Sequence, residues 1–225
     1  ATGNELIEPG KKLLPNKIVG SNSYGLAAML KSFGADPTIF SITKDNIPAI
    51  QRKIQAASNF DLILTIGGVS VGDYDLVKEA TKSMGLKLSF HSIAMKPGKP
   101  LLAGVLNGTI LIGLPGNPVS SLISCYVMVK PVINKMLGLD KENKSLTIFA
   151  KLGCNLQKNG KRESFQRAIL KTEKKDLIVY PLEKQDSSLI TELNKSNALI
   201  KRLPNARTQK LGDVVEVLPF YLEFN

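Results

Sequence analysis

The sequence predicts an α/β domain of three layers on a mostly parallel sheet, followed by a small all-β barrel. Leu62–Ile66 is an unbroken, β-branched apolar run of the kind found in strands covered on both faces. Strand-like runs alternate with helical periods as far as about residue 137, the pattern of a layered α/β fold. From residue 145 onward the segments are short, strand-like and separated by turn residues, with no long helical period. The expected domains are therefore residues 1–140 and 145–225, joined by the charged link Gly138–Lys144.

In chain order, Thr2-Gly3-Asn4-Glu5-Leu6 reads as a loop that should follow a strand, with no strand before it. Leu26, Met29, Leu30 and Phe33 then form one helical stripe, with Asn22 or Ser23 as cap and Gly34 as stop. Thr38–Ile42 reads as a short strand, and Asp45–Pro48 opens a second helix that turns Ile50, Ile54 and Ala57 inward. The central strand breaks into Gly67–Gly72, and a helix is expected over Tyr74–Met84. Lys87–Ile93 alternates as a strand. Leu101–Leu106 and Thr109–Leu114 flank Asn107-Gly108, a two-residue hairpin signal that adds an antiparallel edge. Pro118 suits a first helical turn and Asn117 its cap, and Pro131 should bend or divide the apolar helix that runs to about Leu137. The barrel strands are expected at 146–152, 164–171, 177–182, 198–203 and 214–218.

Composition excludes several classes. Apolar residues make up 43% of the chain, and no run approaches the 18 or so apolar residues of a membrane helix. Cys125 and Cys154 lack metal-ligand spacing and read as buried free thiols of a cytoplasmic protein. The single histidine, His91, makes a triad or a histidine metal site improbable and reads as structural. The net charge of +11 divides evenly, 16 basic against 10 acidic residues over 1–144 and 14 against 9 over 145–225. That spread, with sparse aromatics and no tryptophan, argues against nucleic acid and for a small anionic ligand.

The chemistry concentrates at strand ends. A strand, a glycine-rich turn and a helix start aim backbone N–H groups and a helix dipole at one anion. Gly67–Asp75 and Leu114–Asn117 both follow strands and precede helices, so both belong beyond the carboxyl ends of the sheet. Asp73 and Asp75 sit where carboxylates cap a helix or hold a cation. Lys96 and Lys99, beside Pro97 and Pro100, offer two fixed positive charges. The plain alternative is that the glycines permit a turn, Asp73 caps and the lysines are solvated.

Taken together, TGNEL at 2–6, GGVSVGDYD at 67–75, MKPGKP at 95–100 and GLPGNPVS at 113–120 resemble, in order and spacing, the molybdopterin molybdenumtransferases. Gephyrin's C-terminal region belongs to that family. The resemblance covers essentially the whole chain. It implies a molybdopterin-binding fold over 1–140 and a C-terminal β-barrel domain. The implied reaction takes adenylylated molybdopterin, binds molybdate and releases AMP with a divalent cation, Mg²⁺. By resemblance, Thr2, Gly3, Ser70 and the Gly67, Gly68, Val69 and Gly72 amides hold phosphate or pterin, together with Pro115, Gly116, Asn117 and Pro118. Asp75, with Asp73 or Glu5, is the candidate Mg²⁺ ligand. Lys96 and Lys99, with Arg162 and Ser187 or Ser188, bind phosphate or molybdate, although Arg162 and Ser188 fit equally well as exposed polar residues without a ligand. Asn4 stands where many family members carry Asp, and a neutral amide brings no charge to a metal.

The family's N-terminal half has no counterpart here. By resemblance it provides homodimerisation and acidic residues that reach the partner's site, so this chain is expected to bind the pterin but insert metal poorly. Alternatives are the molybdopterin adenylyltransferase that precedes this step and a non-catalytic pterin-binding scaffold module.

Overall fold

The structure, a computed structural model, describes residues 1–69, 75–139 and 147–220. The elements run in chain order as β1 (Leu6–Ile7), β2 (Ile18–Val19), α1 (Asn22–Ser32), α2 (Ile47–Ala56), β3 (Leu62–Ile66), α3 (Leu76–Ser83), β4 (Lys87–His91) and β5 (Met95–Lys96). They continue as β6 (Leu102–Leu106), β7 (Thr109–Leu114), α4 (Pro118–Ser124), a π-turn (Cys125–Val129), α5 (Lys130–Met136), β8 (Ile148–Leu152), β9 (Glu163–Glu173), β10 (Asp176–Pro181), α6 (Ile190–Asn194), β11 (Ala198–Arg202) and β12 (Val214–Pro219). The chain divides into two compact units, one of Ala1–Ile93 with Gly98–Leu137 and one of Ala94–Pro97 with Gly138–Asn225. The short segment 94–97, read from sequence as part of the first domain, is thus claimed by the second.

In the first unit a four-stranded sheet has the order β3-β7-β6-β4. β3 and β7 pair in parallel, Leu62 opposite Ile110 through Ile66 opposite Leu114. β6 and β7 form the expected hairpin, its Asn107 and Gly108 at φ of 50° and 92°, the left-handed values a two-residue hairpin turn needs. β4 extends the antiparallel edge by one more strand than the hairpin alone implies. Ile63 and Leu111 meet Ile50 and Ile54 of α2 and Val77 and Ala80 of α3 in one core. Asn46 caps α2 by accepting the Ala49 amide at 2.9 Å, a geometry that fixes where the chain turns from loop to helix.

Two expectations change here. Among the described residues, 38–42 form no ladder, and the pairing beside them is the isolated parallel bridge Thr2–Thr43; strand composition alone does not supply the neighbour a ladder needs. The long apolar helix is divided by widening rather than by a break. Pro131 can give no N–H to Val127 and its ring crowds that carbonyl, and the π-turn just ahead of it absorbs both problems. Cys125 is buried in this turn as expected, whereas Cys154, also read as buried, is exposed just past β8.

The second unit closes a five-stranded barrel, β8-β12-β11-β9-β10, through the β9–β10 and β10–β8 pairings. Closure leaves no free edge in the ring. β5 adds alongside β9 in parallel, Lys96 opposite Ser164. Ala150, Leu152, Val179, Ile200 and Val217 fill the interior.

Candidate functional site

Three loops of the first unit meet at the carboxyl ends of β3 and β7. The Thr2 amide donates to the Ile66 carbonyl at 2.9 Å, Gly67 donates to Leu114 at 3.0 Å, and Asn22 Nδ2 donates to the Gly116 carbonyl at 2.7 Å. These bonds fasten TGNEL, the Gly-Gly turn and the Pro-Gly-Asn turn to one rim. The fit is close. Gly67 and Gly68 hold φ of 76° and 65°, and a Cβ on them would stand 2.8 Å from the Thr2 carbonyl oxygen and 2.7 Å from Thr2 Oγ1. Glycine is therefore demanded twice, by backbone conformation and by space.

The rim leaves donors over. The N–H groups of Gly68 and Gly116 donate to no described residue. Thr2 is buried and its hydroxyl has no partner among the described residues. Buried hydroxyls are ordinarily bonded, so this one marks a place where something else bonds or the fold holds strain. Gly116 and Asn117 are exposed, with Asn117 at the N-cap of α4 and Pro118 at its start. Pro115 is buried beneath them.

The remaining expected residues divide. Gly3 is buried under the Glu5 carboxylate, which a Cβ on Gly3 would meet at 2.8 Å. Asn4 pairs reciprocally with Asp45, its amide donating to Asp45 Oδ2 at 2.9 Å and its side-chain oxygen accepting the Asp45 amide at 3.2 Å. Val69 turns inward to the α2–α3 core, so only its backbone is left for a ligand. Ser70, Gly72 and Asp73 lie outside the described residues.

Asp75 behaves as an anchor. It is 3% exposed, Oδ1 accepts the Lys78 amide at 2.8 Å and Oδ2 sits 2.8 Å from His91 Nε2. A divalent cation would find only the second lone pairs of two engaged oxygens. Among the described residues no group of three His, Cys, Asp or Glu side chains could hold a metal. The sequence marks His91 only as structural. Its link to Asp75 bridges 16 residues, and no local pattern announces it.

Lys99 is exposed in the first unit, its carbonyl accepting the Ile93 amide at 3.1 Å, while Lys96 is exposed in the second unit on β5. In the barrel, Arg162 reaches the Met95 carbonyl at 3.4 Å. Ser188 folds back on Asp186, its amide and hydroxyl donating to one carboxylate oxygen at 2.8 and 2.6 Å, and those bonds hold the Asp186 carboxyl below its usual pKa. Ser187 lies in the same loop. Arg167, 1% exposed, supports that loop by donating to the carbonyls of Leu189 at 3.2 Å and Lys184 at 2.9 Å.

Residues 1–135 match the family model described as "Probable molybdopterin binding domain". The chain belongs to that family. Residues 150–220 of this molybdopterin-binding family member match the MoeA C-terminal region, domain IV. The chain is 41% identical over 169 residues to a molybdopterin molybdenumtransferase of Nostoc sp., covering 73% of this chain and 39% of that protein. It is 34% identical over 222 residues to the molybdopterin molybdenumtransferase of Haemophilus influenzae, covering 98% of this chain and 55% of that protein. It superposes on the molybdopterin biosynthesis MoeA protein of Pyrococcus horikoshii with a TM-score of 0.82 at 26% identity, over 99% of this chain and 53% of that one. The chain thus spans about half the length of relatives it matches. Among the described residues no helix is long and apolar enough to cross a membrane.

Proposed function

We propose that this chain acts in molybdenum cofactor biosynthesis, binding adenylylated molybdopterin for molybdate insertion with release of AMP. The observation that supports the reading is the Thr2, Gly67-Gly68 and Gly116 rim, where two amide donors and a buried hydroxyl at adjoining strand ends have no partner among the described residues. Releasing AMP cleaves a phosphoanhydride, and negative charge grows on the leaving phosphate. Amides already aimed at that charge stabilise it without reorganising. Thr2 and Gly3 and the Gly67–Gly68 turn would hold the phosphate, with Pro115, Asn117 and Pro118 shaping the wall beside Gly116. Lys99 and Lys96 would contribute positive charge, and Arg162, Ser187, Ser188, Ser70, Gly72 and Asp73 are further candidates for pterin, phosphate or molybdate contacts.

Magnesium receives no step through the described residues, because Asp75 keeps both oxygens on Lys78 and His91. From the family likeness we also infer a cytoplasmic homodimer acting on a small pterin, without nucleic acid or membrane.

The test is titration of the chain with adenylylated molybdopterin, with and without molybdate, while AMP is measured. Saturable binding is expected, weakened by Gly116→Ala, with slow molybdate-dependent AMP release from these 225 residues alone. Adenylylated product from plain molybdopterin and Mg-ATP would instead assign the preceding adenylyl transfer.

A further inference from the structure

The positive charge of the barrel region sits in two of its loops. Residues 155–162 and 202–210 hold six basic residues and no acidic one, whereas the rest of 145–225 holds eight basic against nine acidic. The two stretches run antiparallel. Leu156 and Gln209 exchange both backbone bonds, at 2.8 and 2.9 Å, the Asn159 amide donates to Ala206 at 2.8 Å and the Asn205 amide to Gly160 at 2.8 Å. Counting inward from either side sets Lys158 opposite Arg207, where an alternating antiparallel ladder calls for another exchanged pair. That rung is missing. The amides of Lys158 and Arg207 donate to no described residue. The Arg207 carbonyl is taken instead by Arg202 Nη2 at 2.8 Å, and the Gln157 carbonyl by both Arg202 Nη atoms at 3.2 Å.

Charge around this gap is unbalanced. Arg202 is 2% exposed, and among the described residues its Nε has no partner and no carboxylate pairs with its guanidinium. Burial pushes its pKa down, with no acid opposing the fall. A buried charge without a counter-charge is costly. Lys158 and Arg207 are exposed, their side chains have no partner among the described residues, and like charges facing each other across two strands repel. Lys161 and Lys210, exposed on the same loops, add to the field. The geometry points to a binding site for a phosphate group at the missing rung, its oxygens accepting from the Lys158 and Arg207 amides and lying between those two side chains. One compact, doubly charged anion satisfies both amides, relieves the repulsion and supplies the counter-charge that Arg202 lacks. A carboxylate brings half the charge. The site lies wholly within the barrel unit and does not depend on what the Gly67 rim binds.

The test is titration of the 225-residue chain with inorganic phosphate at low ionic strength, read from the amide NMR signals of Lys158 and Arg207. Both signals should shift saturably, and sodium chloride at matched ionic strength should leave them in place. Lys158→Glu with Arg207→Glu, both on the surface, should keep Tm and weaken phosphate binding about tenfold or more. Lys174→Glu with Lys175→Glu at the β9–β10 turn makes the same change in net charge and should alter binding less than about twofold. Glycerol 3-phosphate in a second arm reads the source of the group: shifts that match those of phosphate assign an esterified phosphate, and shifts with inorganic phosphate alone assign the free ion. Either result supports the site. No saturable shift at 158 and 207, the same shifts from chloride, or equal weakening by the two pairs of substitutions would overturn it.

Discussion

One carboxylate joins two elements: Asp75 Oδ2 lies 2.8 Å from His91 Nε2 at the end of β4, and Asp75 Oδ1 caps α3 through the Lys78 amide at 2.8 Å. The pair therefore fixes where the helix after the glycine-rich turn begins, relative to the sheet. Asp75→Ala should destabilise the first unit by about 2–3 kcal/mol, about 1 from the lost cap and the rest from an abandoned imidazole in a half-buried setting. Asp75→Asn keeps an acceptor for Lys78 and should cost less. A double-mutant cycle of Asp75→Asn with His91→Ala, followed by far-UV circular dichroism in urea, should give a coupling of about 1 kcal/mol. Strict additivity would show that the two side chains merely sit close.

Gly68 and Gly116 face the same rim but should respond differently. An alanine at 68 meets Thr2 Oγ1 at 2.7 Å from a φ of 65°, so Gly68→Ala should lower stability by about 1–2 kcal/mol or more and abolish ligand binding together. An alanine at 116 would stand 3.6 Å from the Gly67 Cα, an ordinary contact. Gly116→Ala should therefore fold with an unchanged Tm and still weaken pterin-nucleotide binding, measured by calorimetry, because a methyl group intrudes beside the amide donors. Unimpaired binding by that variant would remove Gly116 from the site.

What the sequence made legible follows physical locality. Leu62–Ile66 and Thr109–Leu114 declare themselves through apolar runs whose bounds the structure keeps, and the turns after them must share a rim because parallel strands end together. Thr38–Ile42 has the composition of a strand, yet ladder formation depends on a neighbour, which composition does not reveal. Pro131 announces an interruption but not its form, since bending, breaking and widening all relieve the same missing N–H. The least legible features join distant residues. Neither the Asp75–His91 pair nor the Asn4–Asp45 pair, separated by 41 residues, leaves a periodic trace.

The two thiols should differ sharply in reactivity. Burial pushes Cys125 up to about 12 from 9.0, so almost none is thiolate at pH 8, whereas Cys154 is exposed. An aromatic disulfide reagent should find one fast thiol in the native chain and two after unfolding. The sign of the pH effect also follows. A thiol whose folded pKa is raised gives stability that is intact below 9.0 and lost as pH climbs toward about 12. Cys125→Ala should flatten that alkaline decline, and two fast thiols in the native protein would contradict the buried position.

Arg167 offers the clearest case of a charged side chain used as a brace. Its guanidinium donates to the carbonyls of Lys184 and Leu189, and its backbone exchanges two bonds with the Gln185 side chain, the amide donating to Oε1 at 3.0 Å and the carbonyl accepting from Nε2 at 3.0 Å. Burial pushes its pKa down, and Glu192 and Asp186 oppose that fall, so the charge is kept at some expense. Removing the side chain strands two loop carbonyls and empties a fully buried volume. Arg167→Met fills the volume but leaves the carbonyls unbonded, and should cost about 2–4 kcal/mol in barrel stability. Arg167→Lys retains charge yet cannot span both carbonyls, and should fall between Met and the native residue. Hydrogen exchange separates bracing from simple filling. In Arg167→Met the amides of 186–190, including the Ser188 amide held by Asp186 at 2.8 Å, should lose protection before the strands of the barrel do. If the loop and the strands lose protection together, Arg167 fills space and does not hold the loop.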